Sequence, residues 1–190
     1  MIEFTAAIAG KREYIEAHAW RGRSNLELAN FQEALSDLTQ ALIWNPTVVD
    51  YYRWRGEAYN GLRIYTQAIF DFDQVITRDP IPTAADYHGL GFARFKNEDY
   101  FLAIDDFTKA IVLEPTRDRF ELRGASYFGS AGDILTDQLL SAISDFDQAI
   151  RLGPTGSIYQ QRGDTYAKLG LNSLAEKDWA QACVLDLARC

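Results

Sequence analysis

The chain has 190 residues, of which 47% are apolar, so it is long enough to bury a substantial core. Its net charge of −8 argues against a general nucleic-acid-binding protein, because such proteins need a basic surface. The sequence lacks a run of about 18 consecutive apolar residues, so we predict no insertion into a membrane.

The ends of the chain favour a cytoplasmic location. Met1 to Ala9 lacks the basic region and apolar run of a secretory signal peptide. Two cysteines, Cys183 and Cys190, would have Cα atoms about 10 Å apart on one continuous helix. A disulfide needs less than about 7 Å. We therefore predict no intrachain disulfide, and nothing in the cysteine usage indicates an oxidising compartment.

A recurring apolar stripe predicts a series of amphipathic helices. In the clearest copy, Ala103, Ile104, Phe107 and Ala110 follow one another at steps of one and three residues, which places them on one helix face. Pro115 closes this copy, because proline cannot continue a helix beyond its first turn. The pattern starts at five alanines: Ala34, Ala68, Ala103, Ala142 and Ala175. Four copies end in a proline: Pro46, Pro80, Pro115 and Pro154.

Each of these segments follows another predicted helix that carries a glycine. The five glycines are Gly22, Gly56, Gly91, Gly124 and Gly163. Twelve residues separate the glycine from the alanine in four copies, and 18 separate them in the copy that begins with Gly124. The repeating unit is therefore a helix, a tight turn, a second helix and a turn marked by proline. The small glycine and alanine side chains let the two helices approach closely.

This unit of about 34 residues resembles the tetratricopeptide repeat (TPR). The second copy carries the residues Tyr52, Gly56, Tyr59, Ala68, Phe72 and Pro80, with Val75 in place of the last alanine. The resemblance covers about residues 15 to 187. It implies an all-α fold, namely an α-α superhelix, the right-handed TPR solenoid of antiparallel helix pairs.

We divide the chain into an amino-terminal half-repeat or capping helix, residues 1–14, and a five-repeat array, residues 15–190. The repeats cover about 15–48, 49–83, 84–116, 117–155 and 156–190. The segment from Glu3 to Ile8 matches Asp106 to Ile111, which predicts the end of a second helix without its first helix. Either the chain is cut from a longer array, or this half-repeat acts as a cap.

The fourth repeat has an enlarged loop between its two helices. Six extra residues fall within the stretch from Gly129 to Asp137. The loop is either a neutral length variant or a contact loop, since Ile134 and Leu135 are apolar in an otherwise polar stretch.

No residue pattern indicates catalysis, and we predict that the protein is not an enzyme. Paired carboxylates can perform acid–base or metal chemistry, but here they recur at one position of the repeat, which favours solvated or structural helix positions. The three pairs are Asp71/Asp73, Asp105/Asp106 and Asp145/Asp147. His18 and His88 are far apart and have no obvious second ligand. We therefore predict no catalytic, cofactor or metal site.

An arginine precedes the glycine in four repeats, and the following helix carries an aspartate. The four combinations are Arg21 with Asp37, Arg55 with Asp71, Arg123 with Asp145 and Arg162 with Asp178. We hypothesise that they form ion pairs across the helix interface, within a repeat or between neighbours. The alternative is that these arginines extend into water. The third repeat has Leu90 instead and keeps Asp106.

In the TPR family the first helices line a concave surface that binds extended or helical peptides. On each first helix, the residues six and three before the glycine and one and four after it lie on one face. Over the five repeats, this face carries six acids and two arginines. The candidate peptide-binding residues are Arg23, Arg53, Glu57, His88, Phe92, Phe95, Glu121, Phe128 and Asp164. We expect Phe92, Phe95 and Phe128 to form an aromatic patch that anchors the ligand, unless one of them packs under the enlarged loop.

Family members that bind chaperone tails clamp a carboxylate with lysine, asparagine and arginine. The corresponding positions here are Ala19, Arg23, Trp54, Ala85 and Gly89, and only Arg23 has a fitting charge. We therefore predict no binding to chaperone tails.

The predicted function is a non-enzymatic scaffold or adaptor that binds a protein or peptide, basic and with apolar anchors, in its concave groove. We predict no nucleic-acid partner. One alternative is a TPR fragment of a larger protein that targets or regulates an attached enzyme, which the half-repeat favours. The other is a self-assembling structural TPR protein.

The last predicted helix, Leu174 to Leu187, generates a prediction about assembly. Its residues Val184 and Leu187 have no following helix to cover them, which leaves one apolar edge for a second molecule. We expect self-association through this helix, measured as an apparent mass that rises with protein concentration under reducing conditions. A protein that stays monomeric at high concentration contradicts this expectation.

Overall fold

The computed structural model describes residues 15–132 and 136–186, and all regular secondary structure in these ranges is α-helical. The all-α prediction is confirmed. The ten helices of these ranges are α1 (Ile15–Glu27), α2 (Phe31–Trp44), α3 (Val49–Gly61), α4 (Tyr65–Arg78), α5 (Ala84–Lys96), α6 (Tyr100–Leu113), α7 (Arg117–Ser130), α8 (Thr136–Leu152), α9 (Gly156–Lys168) and α10 (Asn172–Leu185). The half-repeat in residues 1–14, the loop residues Ile134 and Leu135, and Leu187 lie outside the described residues.

The chain divides into two compact units after Asn97. In the first unit, α1 packs against α2 and α3 against α4, while α2 contacts α3 and α4 contacts α5. The helices α1, α3 and α5 also contact one another in order. In the second unit each helix from α6 to α10 packs against the next, and α7 also contacts α9. Short connections between packed helices make the partners in each pair antiparallel.

The tight turn between paired helices contains a residue with left-handed backbone geometry. Ala29, Arg63 and Gly170 have φ angles of 57°, 61° and 76°. One residue after Arg63, the Ile64 N–H donates to the Tyr59 carbonyl at 2.9 Å, which satisfies a carbonyl at the helix end. Only one of these three turns uses glycine, although glycine adopts this geometry most easily.

The turn after each second helix follows the proline signal. The helices α2, α4, α6 and α8 each end two residues before a proline. Asp79 and Glu114, which precede Pro80 and Pro115, have extended ψ angles of 121° and 102°. A residue before proline is pushed out of helical geometry by steric contact with the proline ring, so the helix stops there.

The core consists of aromatic rings placed against glycines. Phe72 is 1% exposed, and a Cβ on Gly56 would lie 3.0 Å from its ring. A Cβ on Gly89 of α5 would lie 2.4 Å from the same ring. Phe72 therefore fills the space between its own repeat and the next helix. A side chain at Gly89 would force the helices apart, which explains a glycine within a helix.

The four predicted arginine–aspartate pairs are confirmed as two-point ion pairs within a repeat. The N–O distances are 2.5 to 2.8 Å, and the four aspartates are buried. Two of the arginines also reach the preceding helix. Arg123 donates to the Thr108 hydroxyl at 3.0 Å, and Arg162 donates to Asp147 at 2.5 Å. Of the two alternatives, pairing within a repeat is therefore correct for all four arginine–aspartate pairs, and the contacts of Arg123 and Arg162 with the preceding helix are additional to it.

The third repeat replaces this ion pair by apolar packing on the α5 side. Leu90 is 2% exposed and packs with Ala68, Phe72 and Ala93. Four residues later, Arg94 donates to Asp73 of α4 at 3.0 Å. The link between α5 and the preceding helix is therefore kept, but it comes from another helix position.

The expectation of no disulfide is wrong for Cys183, which is disulfide-bonded. The predicted separation of the two cysteines holds only for one continuous helix beyond Cys183, but α10 ends at Leu185. Cys190 lies outside the described residues.

No helix in the described part of the chain combines the length and the hydrophobicity needed to cross a membrane.

The ion pair between α7 and α8 generates a stability prediction. Asp145→Asn leaves the Arg123 guanidinium, whose side chain is 18% exposed, without its charged partner. We expect a loss of about 3 kcal/mol in the free energy of unfolding, near the lower end for a broken buried pair. Urea denaturation followed by circular dichroism measures it.

The control is Asp118→Asn, which removes the same charge from an exposed pair with Arg117. We expect a change of at most about 1 kcal/mol there. Equal losses in the two variants contradict the structural role of the buried pair.

Candidate peptide-binding surface

The first helices of the first unit, α1, α3 and α5, carry six of the nine candidate groove residues. Because these helices contact one another in order, residues at equivalent repeat positions lie on adjacent helices. The six are Arg23, Arg53, Glu57, His88, Phe92 and Phe95. The other three, Glu121, Phe128 and Asp164, lie on α7 and α9 of the second unit.

Arg53 is held by three carboxylates. It donates to Asp79 at 2.7 Å and to both oxygens of Asp86 at 2.5 and 3.1 Å, and it also pairs with Asp50. Its side chain is 18% exposed. Hydrogen bonding to Asp86 raises the pKa of Arg53 despite burial, with further contributions from Asp79 and Asp50. Its donors are occupied within the protein, so Arg53 mainly joins α3 to α5 and to the end of α4.

Asp86 combines this ion pair with the capping of α5. Its carboxylate accepts from the backbone N–H and the hydroxyl of Thr83, and the Asp86 N–H donates to that hydroxyl. This reciprocal arrangement is a capping box. Burial by itself raises the pKa of Asp86, but the hydrogen bonds from Arg53 and Thr83 outweigh it and hold the pKa below its ordinary value.

Glu57 stands one helical turn after Arg53 on α3, with an exposed side chain. The surrounding chain reduces the hydration of its carboxylate, which raises the pKa of Glu57. The charges of Arg53 and Arg23 act in the opposite direction, and Asp86 adds to the increase. A cation beside Glu57 would therefore stabilise the charged form of its carboxylate.

Two tryptophans that were not among the candidates surround Arg23. The Trp20 and Trp54 rings have centroids 5.5 Å apart, and the Arg23 guanidinium lies 5.4 and 5.2 Å from them. Trp20 is 46% exposed. Both tryptophans stand two residues before the repeat glycine, in consecutive repeats. That shared register is the sequence signal that could have identified them.

Phe92 and Phe95 are half-buried on α5. The Lys96 ammonium lies 5.6 and 5.2 Å from their ring centroids. Phe92 also meets the edge of Tyr65, with centroids 6.4 Å apart. His88, on the same helix, is half-buried too. The aromatic rings of α5 are thus partly packed by their own unit, and part of each remains accessible.

In the second unit the candidate residues have partners within the unit. Phe128 packs against the core cluster that contains Phe146, and the Lys168 ammonium lies 5.0 Å from its ring. Glu121 accepts from Gln161 at 2.8 Å. Asp164 accepts from Gln160 and from the Trp179 indole, both at 2.9 Å.

A cavity of about 440 Å³ opens where α6 begins and α7 ends. Its walls include the exposed Phe101 and Leu102 together with Gly129 and Gly132. This cavity adjoins the start of the enlarged loop, whose residues 133–135 lie outside the described chain.

Similar folds occur among solved structures. A crystal structure of MamA protein has 23% identity and a TM-score of 0.78, and the match covers 91% of this chain and 92% of that one. A structure of MamA from Desulfovibrio magneticus RS-1 has 20% identity and a TM-score of 0.81, with coverage of 93% and 97%. YrrB, described as a TPR protein with an unusual peptide-binding site, has 19% identity and a TM-score of 0.79, with coverage of 96% and 92%.

These similarities show that the chain has the TPR helical solenoid fold, as the resemblance implied. No family model matches the sequence, and no curated protein matches it.

The pKa of Asp86 generates a prediction about acid stability. A carboxyl whose pKa is depressed in the folded state stabilises the fold above its unfolded value of about 3.9, and this contribution is lost as the pH falls through the folded pKa. Asp86→Asn should therefore lower the free energy of unfolding near neutral pH, and the difference from the unsubstituted protein should shrink below about pH 4.

Urea denaturation of both proteins between about pH 7 and about pH 2.5 tests this expectation, because that interval extends well below the unfolded pKa of the carboxyl. A difference that stays constant over this pH interval contradicts it.

Proposed function

We propose that this protein is a non-enzymatic interaction scaffold that binds a basic peptide segment with one or two large apolar residues along its first helices. The observation that carries the proposal is the contact of α1, α3 and α5 in order, because it sets Arg23, Glu57 and Phe92 on adjacent helices. A surface of this kind offers a bound peptide both charged and aromatic contacts on successive helices.

The charges on these helices support a basic partner. Arg53 is already neutralised by three aspartates, so it contributes little positive charge to a ligand. Reduced hydration raises the pKa of the Glu57 carboxylate, and an incoming cation would oppose this by stabilising the charged form. Such charges speed the encounter of oppositely charged partners, but exposed pairs add only about 0–1 kcal/mol each.

The aromatic residues of α5 support an apolar anchor. Phe92 and Phe95 keep part of their rings accessible beside Lys96. Burying one large apolar side chain contributes about 1.5–3 kcal/mol. We therefore assign most of the affinity to this contact and most of the encounter rate to the charges, with binding of micromolar strength. Phe128 lies in the second unit, and its part in the anchor stays a prediction from the sequence.

The comparison with YrrB supports peptide binding as a use of this fold, since that protein is described by its peptide-binding site. Self-association and a cytoplasmic location stay predictions from the sequence.

Binding kinetics of labelled synthetic peptides test the proposal. One peptide series places lysines around a single phenylalanine, and a matched series places glutamates there. We expect the lysine series to bind, and we expect higher salt to slow its association. Phe95→Ala should speed dissociation about tenfold, because it removes an apolar contact of about 1.5 kcal/mol.

Phe70→Ala is the matched control, because Phe70 is 59% exposed on α4, a second helix of the same unit. It should leave both rate constants unchanged. Preferential binding of the glutamate series contradicts the proposal. Binding kinetics that change neither with salt nor with Phe95→Ala also contradict it, and they indicate a binding site on another face.

A further inference from the structure

A cavity of about 250 Å³ lies between α1 and α3 of the first unit. Its walls are Arg23, Leu26 and Glu27 from α1 with Trp54 and Glu57 from α3. It therefore combines an aromatic ring, an aliphatic side chain, one guanidinium and two carboxylates around one small space, so its ionised side chains carry an excess of negative charge. This combination matches a side chain with an apolar stem and a cationic end.

We propose that this cavity is a subsite for one lysine side chain of the bound peptide. The inference rests on the proposed function and adds to it a location and a residue type. The lysine stem lies along Trp54 and Leu26, and its ammonium lies between the carboxylates of Glu27 and Glu57. Long cationic side chains pack their methylene groups on apolar surface in this way while the charged end stays near water.

The aromatic wall is held in place before any ligand arrives. The Trp54 ring contacts Trp20 and the buried Tyr51, with centroids 5.5 and 6.0 Å away. The Arg23 guanidinium lies over both indoles. A ring that is already fixed on several sides loses little conformational freedom when a ligand binds. Little of the binding free energy of the contact is therefore lost to ordering the ring.

The carboxylates of the cavity are weakly compensated by the protein itself. Arg23 lies 3.9 Å from Glu27, which exceeds hydrogen-bond distance, and Glu27 is 71% exposed. Arg53, the other guanidinium near Glu57, is already bound by three aspartates. The two glutamates therefore have unused capacity to accept hydrogen bonds from a cation.

The geometry favours lysine over the other charged side chains. Glu27 and Glu57 come from different helices, and a compact ammonium with three donors can serve two separate carboxylates. A planar guanidinium is best matched to one carboxylate in two-point contact. An acidic side chain could reach Arg23, but it would meet two carboxylates in the same cavity, and like charges repel.

The probe is Nα-acetyl-lysine methylamide, titrated into the full chain with isotope-labelled indole groups. Its control is Nα-acetyl-norleucine methylamide, which has an apolar stem without the ammonium. The protein has four tryptophans, so Trp44 and Trp179 serve as internal references for Trp20 and Trp54. We expect saturable shifts of the Trp20 and Trp54 indole resonances with the lysine probe and weaker binding of the norleucine probe.

Glu57→Gln removes the charge with little change of shape, and it should weaken lysine binding about fivefold, as expected for an exposed charge pair. Glu33→Gln is the matched control, because Glu33 is exposed on α2. It should leave the lysine titration unchanged.

Equal binding of the two probes, lysine binding that Glu57→Gln does not alter, or shifts confined to Trp44 and Trp179 overturn the inference. If the lysine-series peptides still bind in any of these cases, the proposed function stands and only the subsite is wrong. If those peptides do not bind either, the proposed function itself fails.

Discussion

The two-point ion pair between the helices of a repeat is the contact on which the rest of the structure depends. A buried aspartate is costly unless a cation satisfies both of its oxygens, so each pair fixes how its two helices face each other. Arg123 and Arg162 extend this constraint, because they also bond to the preceding helix at Thr108 and Asp147. In the fourth and fifth repeats, one arginine side chain therefore bonds both within its repeat and to the repeat before it. The packing of alanines and aromatic rings around glycines buries apolar surface, and the ion pair fixes how the two helices are aligned.

This internal use of arginine shapes the surface. The chain has 19 lysines and arginines against 27 acids, and many of its arginines bond to aspartates inside the helix pairs. Arg53 shows the consequence most clearly, since it lies on a first helix but bonds to Asp86 and Asp79. Glu57 and Glu27 remain near the surface of the same helices. The constraint that holds the repeats together therefore also leaves the first helices acidic.

Individual residues show which features of the structure could be predicted from the sequence. The helix ends at Pro80 and Pro115 were predictable, because proline excludes helical geometry from the residue before it. The pairing of Arg55 with Asp71 was also predictable, because both stand beside core positions in every copy that carries them. The binding of Arg53 to Asp86 was not, since 33 residues separate them and the contact forms only when α3 and α5 pack together. The disulfide at Cys183 was missed because the end of α10 was not known.

The sequence by itself determined the repeat, the helices and their buried faces, because each of these follows from short spacings along a periodic helix. It indicated arginine–aspartate pairs, but the structure decided that they form within a repeat. Only the tertiary structure decided which polar side chains on the first helices remain available to a ligand. It bound Arg53 within the protein, and it placed Arg23 over Trp20 and Trp54 beside a cavity that also contains Glu57. The physical reason is that helical periodicity fixes the face on which a residue lies, whereas its partner on that face comes from a neighbouring helix whose approach depends on packing.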